Sequence, residues 1–364
     1  MPIKLKVVDL SRVLAGPVCS MILGDLGADV IKVERPREGD ETRGWGPPFD
    51  AEGESAYFLA VNRNKKSVAL DLTDAGDRAV VRGLMAEADV VLENFLTGSL
   101  SRIGLNPDEA LEENPSLIWC TISGFGPTSP RPGYDFVVQA ECGWMAITGT
   151  RDGPPMKVGV ALADVVAGKD AAIAILAAVA ERAAGSLSAR KRRIQISLAD
   201  SARAALINVA QNVLVSGSDA QRWGNAHPNL VPYQLFESAD RPLVIAIGSD
   251  RQWRACVGAL GLSHLADDDD LDTNAGRVRN RERVVAALAE RVQEMGAQHW
   301  IDRLQSVSVP CGLVRTVAEA LEVTDASPRT GVPPSVPGTV RFPPPKLDEH
   351  GKSIRALGWR AFQR

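Results

Sequence analysis

The chain has little of what would point to metal, disulfide or membrane chemistry. Its five cysteines (Cys19, Cys120, Cys142, Cys256 and Cys311) are an odd number, lie far apart and form no C-x-x-C pair. That pattern suggests neither a zinc site nor a disulfide framework, and it fits reduced thiols in the cytoplasm. The four histidines are scattered without a metal-ligand spacing, so no metal is expected. The most apolar segment, 171–180, is alanine-rich and far too short to span a bilayer. The N-terminal lysines are not followed by the apolar core of a signal peptide. A dominant charge is missing as well. At a net charge of −4, with acids and bases interspersed, there is no electrostatic case for nucleic acid or an anionic membrane.

What is present is a globular composition over 364 residues, enough for two domains. Short apolar, β-rich runs at 6–10, 29–33, 67–72, 89–93 and 117–123 alternate with helical patterns at 18–26, 75–86 and 107–113. Apolar strands with helices between them predict a parallel sheet covered on both faces, a doubly wound, Rossmann-like α/β domain. Its binding crevice should lie beyond the C-terminal strand ends. That places loops 11–17, 34–43, 73–74, 94–98 and 124–135 on one edge. Helices are expected at 136–148 and 165–184, followed by a strand at 194–198. From 217 a loop rich in Gly, Asn and Pro leads to a strand at 243–247 and helices at 251–260 and 279–296. The division read from this is 1–215, a smaller α/β domain over 220–310, and 311–364. The proline-rich stretch 327–347 is expected to return over the first domain.

The opening VVDL…GADVIKVE looks like a dinucleotide-binding unit, but its loop, SRVLAGP, has a single glycine. A pyrophosphate cradle needs G-x-G-x-x-G so that backbone can approach the phosphates, so nicotinamide and flavin are not expected.

Seven segments carry a resemblance: 11–45, 62–72 (NRNKKSVALDL), 89–105, 123–149, 153–179 (including GVALADVVAGKD), 224–236 (GNAHPNLVPYQLF) and 273–284. In this order they resemble the class III CoA-transferase family, which includes formyl-CoA transferase and carnitine- and bile-acid-related relatives. The resemblance spans essentially the whole chain. It implies a large α/β domain built from both chain ends, a small domain between, and a homodimer whose chains thread through each other as interlocked rings.

It also implies residues and chemistry. Locally, Asp164 precedes a helix and reads as its N-cap; the family's nucleophilic aspartate falls on the same residue. The implied reaction moves CoA between carboxylic acids through an aspartyl mixed anhydride and an aspartyl-CoA thioester, with acyl-CoA as substrate and no permanently bound cofactor. Tyr134 and Asp135, locally a turn and a helix cap, match active-site positions. Arg35 and Arg102 match CoA contacts, Leu70–Thr73 with Asn94 and Phe95 match the adenosine pocket, and Val13, Leu14 and Ala15 match the loop at the thioester end. Lys65, Lys66 and Arg43 are further cations near the expected crevice, each equally readable as solvated surface. Asn229 and Tyr233 are expected to face substrate.

Two departures matter. Formyl-CoA transferases carry Gln where Leu14 stands, and their glycine-rich lid is replaced here by HPNLVPY. The first, with no evident arginine clamp, hints at an acyl end less polar than oxalate. A racemase of the same fold would need a His where Tyr134 stands, and a phenol is a poor base at neutral pH. The racemase and a non-catalytic CoA-binding protein are the alternatives. His227 facing Asp164 would favour the racemase.

Overall fold

The computed structural model describes residues 3–363. The chain forms two compact units. The larger comprises 1–145, 157–220 and 321–364, and the smaller 146–156 and 221–320.

In the larger unit six strands form one sheet: β1 Lys6–Asp9, β2 Asp29–Glu34, β3 Lys65–Ala69, β4 Val90–Glu93, β5 Ile118–Ser123 and β6 Arg193–Ser197. Their order is 3-2-1-4-5-6, and every pairing is parallel. The order reverses between β1 and β4, so the crevice of a doubly wound sheet opens beyond the ends of these two strands. Alternate residues feed opposite layers. Val7, Val30, Val90 and Ile118 pack under α1 (Ala15–Asp25) and the long helix Leu162–Ala183. Val8, Ile31, Val91 and Trp119 face a second layer with helix Ala75–Ala86 and the C-terminal residues Ile354 and Trp359.

The C-terminal segment is tied to this sheet. His350 N–H bonds to Ser67 O at 3.0 Å, Asn64 N–H to Phe342 O at 3.0 Å, and Trp359 Nε1–H to Leu84 O at 3.0 Å.

One contact places the site. A Cβ on Gly168 would lie 2.5 Å from Ala15 O, so only glycine lets the long helix approach the start of α1 this closely. Alanines at 163, 167, 171 and 172 keep the same helix face low.

The smaller unit holds a three-stranded antiparallel sheet of β7 Tyr233–Glu237, β8 Pro242–Ala246 and β9 Cys311–Leu313. Its own core is built around Trp253 and Trp300. Two expected helices prove to be broken. The helix expected at 136–148 is interrupted at Gly143, whose φ of 87° suits glycine. The helix expected at 279–296 is Arg281–Gln293, with Asn274–Arg279 as a separate turn before it.

Candidate active site

The loop after β1, residues 10–14, stands at the switch point of the sheet. Its backbone is held by side chains from elsewhere. Ser11 N–H bonds to Asp9, and Arg12 N–H to Asn94 Oδ1 at 2.9 Å; Asn94 Nδ2 returns a bond to Arg12 O at 2.7 Å. The loop after β4 is fixed in turn by Glu93, whose carboxylate accepts Phe95 N–H at 2.8 Å. Both loops line a chamber of about 290 Å³ with Val13, Leu14, Ala15, Asn94, Phe95, Tyr134 and Asp164 in its wall.

Asp164 belongs to the first turn of the long helix. The capping position is Ala161, so Asp164 is not the cap its sequence position suggests. Asp135 is not a cap for its own helix either; that position is Tyr134. Instead Asp135 caps the long helix from outside, its Oδ1 accepting Ala163 N–H at 2.8 Å. Gln139, fully buried one turn later, clamps the same carboxylate. Its Nε2 donates to Asp135 Oδ2 at 2.6 Å and its Oε1 accepts Val158 N–H at 2.8 Å.

Asp164 is left without such bonds. It is 9% exposed, and among the described residues no donor is hydrogen-bonded to its carboxylate. Burial, and secondarily the charge of Asp135, push its pKa up to about 7. The result is a poorly solvated, unusually basic carboxylate at the wall of a cavity, the environment expected of a nucleophile or base. No backbone N–H of the helix's first turn is among the hydrogen-bond partners of this carboxylate in the described residues. Tyr57, which the sequence did not single out, feels the same charges: burial raises the pKa of its phenol, and Asp164, Asp135 and Asp40 add to the effect.

A second cavity of about 220 Å³ adjoins the first, with Arg12 and Phe95 in both walls. It brings together Arg35, Leu70, Thr73 and Phe95, as expected for one ligand site. Arg35 is exposed at its edge. Its wall of Leu10, Val33, Leu70, Leu72 and Ile103 is apolar, which suits a flat base. Arg102 is not in either wall. It ends the short helix Ser99–Arg102, bonded to Ser99 Oγ, next to the lining residue Ile103.

The other cations are elsewhere. Lys65 is fully buried against Asp9, Asn62 and Pro17 O, and burial lowers its pKa to about 8. Lys66 bonds to Ala361 O at 2.6 Å. Arg43 is committed to Glu34 and Glu54. None of these three is open to a phosphate.

Arg12 and Arg131 both line the Asp164 chamber, so it is less apolar than Leu14 alone suggests. Arg12 lies over the Phe95 ring at 5.2 Å and pairs with Glu41 at 2.7 Å, while its buried Nε has no partner. No histidine is among the described lining residues. In the smaller unit His227 Nδ1 accepts Asn229 N–H at 3.0 Å and its ring lies 5.2 Å from Tyr233. Among the described residues no cluster of His, Cys, Asp and Glu could hold a metal, and no helix is long and apolar enough to cross a membrane.

Comparison with known proteins places this geometry in a family. The model of CoA-transferase family III matches residues 4–335. The succinyl-CoA:glutarate CoA-transferase of Mus musculus is 39% identical, over 96% of this chain and 84% of its own. The succinate–glutarate CoA-transferase of Agrobacterium fabrum is 38% identical, over 97% and 94%. A solved CaiB/BaiF family protein from Brucella suis superposes with a TM-score of 0.85 at 42% identity, covering 97% of each chain. The chain therefore belongs to the class III CoA-transferase family.

Proposed function

We propose that this enzyme moves CoA from succinyl-CoA to a second dicarboxylic acid, with Asp164 as the covalent carrier. The observation that carries this is Asp164 itself: a buried, unpaired, basic carboxylate in a chamber that adjoins a cavity suited to adenosine. The dicarboxylic class is supported by the names of the mouse and Agrobacterium relatives and by Arg12 and Arg131 in the chamber wall. An arginine fork suits the far carboxylate of such an acid, which here would exchange with the present partners, Glu41 for Arg12 and Glu141 for Arg131.

In this mechanism a carboxylate oxygen of Asp164 attacks the thioester carbon and the C–S bond breaks, giving a mixed anhydride and CoA thiolate. The thiolate attacks the aspartyl carbonyl, and the donor acid leaves. The acceptor carboxylate attacks the aspartyl-CoA so formed and expels the thiolate, which then takes the acceptor's acyl group and frees Asp164. Water must be kept out, since hydrolysis of either intermediate would dissipate the thioester. Asp135 positions Asp164, Tyr134 lies in the same wall, and Val13, Leu14 and Ala15 border the reacting end. Arg35 and Phe95 hold the nucleotide, joined by Leu70 and Thr73; Asn94 serves by holding the Arg12 backbone beside the chamber, and Arg102, outside both walls, would have to leave Ser99 Oγ to meet a phosphate. Acyl-CoA is substrate, and no cofactor stays bound.

The division at 1–215, 220–310 and 311–364, and a cytoplasmic homodimer of interlocked chains, belong to the same reading. Free, mostly buried thiols support a reducing compartment. Helix Ile207–Ser216 buries no residue and exposes Ile207, Leu214 and Val215, which supports a partner chain over it. The test is CoA transfer from succinyl-CoA to a panel of mono- and dicarboxylic acids. Transfer to glutarate-like acids, lost in Asp164→Ala with CoA binding retained, is expected; turnover by Asp164→Ala would refute the reading.

A further inference from the structure

Val13 has a φ of 70°. A β-branched residue rarely adopts this left-handed conformation, because its Cβ crowds the following carbonyl. It persists only where its surroundings impose it. Here the restraint is visible. Both carboxylate oxygens of Asp40 face the Val13 N–H, at 3.2 and 3.3 Å. Asp40 is in turn held by Lys32 Nζ at 2.9 Å, and both side chains are fully buried. The same ammonium donates to Ser11 O at 2.9 Å. Thr42, through its N–H and its hydroxyl, fixes the first Asp40 oxygen, and Glu34 accepts the Asp40 N–H at 3.1 Å.

A buried ion pair of this kind is not explained by stability. Removing two charges from water costs about what their attraction returns, and apolar replacements of like volume often serve as well. What apolar residues could not do is grip the loop on both sides of Arg12, at Ser11 O and at Val13 N–H. The next residues, Leu14 and Ala15, lie beside Asp164 in the chamber wall.

We infer that the Lys32–Asp40 pair is a positioning device for the transfer reaction: it holds Val13 in its left-handed turn and so sets Leu14 and Ala15 against the acyl group on Asp164. The inference rests on the transferase reading above. Neither residue lines the chamber itself, so neither is a catalytic group, although both stand in the wall of the adjoining cavity. If the grip is lost, Val13 relaxes to negative φ and the peptide planes on either side turn. Misplacement of this order at a reacting centre costs roughly a hundredfold in rate.

The experiment measures the single-turnover rate of hydroxamate formation on Asp164, with saturating succinyl-CoA and hydroxylamine, beside melting temperature and CoA affinity. Lys32→Met/Asp40→Leu, which removes the grip, is expected to slow labelling about ten- to hundredfold at saturating succinyl-CoA, where any change in CoA affinity from the shared cavity wall does not enter the rate. Lys32→Met/Asp40→Asn removes the charges and the Ser11 O contact but retains an oxygen for Val13 N–H, the contact that sets the turn, and is expected to label within about threefold of the native rate. Adding Val13→Gly to the Leu pair should recover part of its loss, because glycine holds a positive φ unaided. Native-rate labelling by the Leu pair would overturn the inference. So would an Asn pair slowed tenfold or more, a result that decides the question even if the Leu pair does not fold. The unsubstituted enzyme is run alongside. If it forms no hydroxamate the transferase reading fails, whereas labelling that is insensitive to position 40 removes only the positioning role.

Discussion

The Asp135 carboxylate closes the first turn of the helix that carries Asp164, accepting Ala163 N–H at 2.8 Å. It therefore fixes the backbone of Asp164 and places a negative charge nearby at once. Replacing Asp135 by Asn keeps an acceptor and removes the charge. With less repulsion the Asp164 anion forms more readily, so the acid limb of the pH–rate profile should move to lower pH. Burial is the larger cause of the raised pKa, so the limb should stay well above the ordinary carboxylate range. A profile of labelling rate against pH checks both the direction and the limit.

The raised pKa of Asp164 also bears on stability. In the unfolded chain the group loses its proton near the ordinary 3.8, and in the folded protein near 7. Between these values the folded state binds more protons, so this residue's contribution to stability falls as pH rises, and is level above about 7. Asp164→Asn, which can never ionise, should raise the melting temperature, with a gain that grows from pH 5 to pH 7 and then stays constant. Equal melting of the two proteins at pH 8 would contradict the burial of an unpaired anion.

Gly168→Ala forces a methyl to within 2.5 Å of Ala15 O and 3.1 Å of Val18. The long helix must move away from α1, carrying Asp164 with it. The expected cost is about 1–3 kcal/mol of stability, typical of overpacking. A fall in turnover should accompany it even at temperatures where the variant is fully folded, as judged by circular dichroism and steady-state rates.

Arg35 stands at the edge of the apolar cavity with no ion-pair partner among the described residues, unlike Arg43. Arg35→Ala should raise KM for acyl-CoA about tenfold while leaving kcat within about twofold, the signature of lost uniform binding. Arg43→Ala should act through stability, because it strips the buried Glu34 of its cation and leaves it only the Asp40 N–H and the Ser67 hydroxyl.

How far the sequence reaches is visible in particular residues. The strands of the large sheet are apolar runs between breakers, so their positions, and hence the loops at the crevice, could be read directly. Leu70, Thr73, Phe95 and Val13 came instead from the resemblance to the family, as positions matched to its CoA site. The place of Lys65 could not be read. A lysine at the start of a strand reads as surface, and only the folded chain closes Asp9 and Asn62 around it. The helix break at Gly143 was hidden by an apolar pattern that continues across it. Strand β9 has three residues, too few to show a period. Gln139 had a signal that went unused: it lies four residues after Asp135, the spacing that puts two side chains on one helix face. Tyr57 had none, since its relation to Asp164 joins distant parts of the chain. The two aspartates looked like caps because each begins a helical pattern. The structure instead uses one to cap the helix that bears the other.

The most direct test is to identify, by peptide mass spectrometry, the residue modified when the enzyme is treated with succinyl-CoA and hydroxylamine. A hydroxamate on Asp164, formed only with the thioester present, is the predicted result. Full turnover with Asp164 unmodified, or with the label on another carboxylate, would contradict the account.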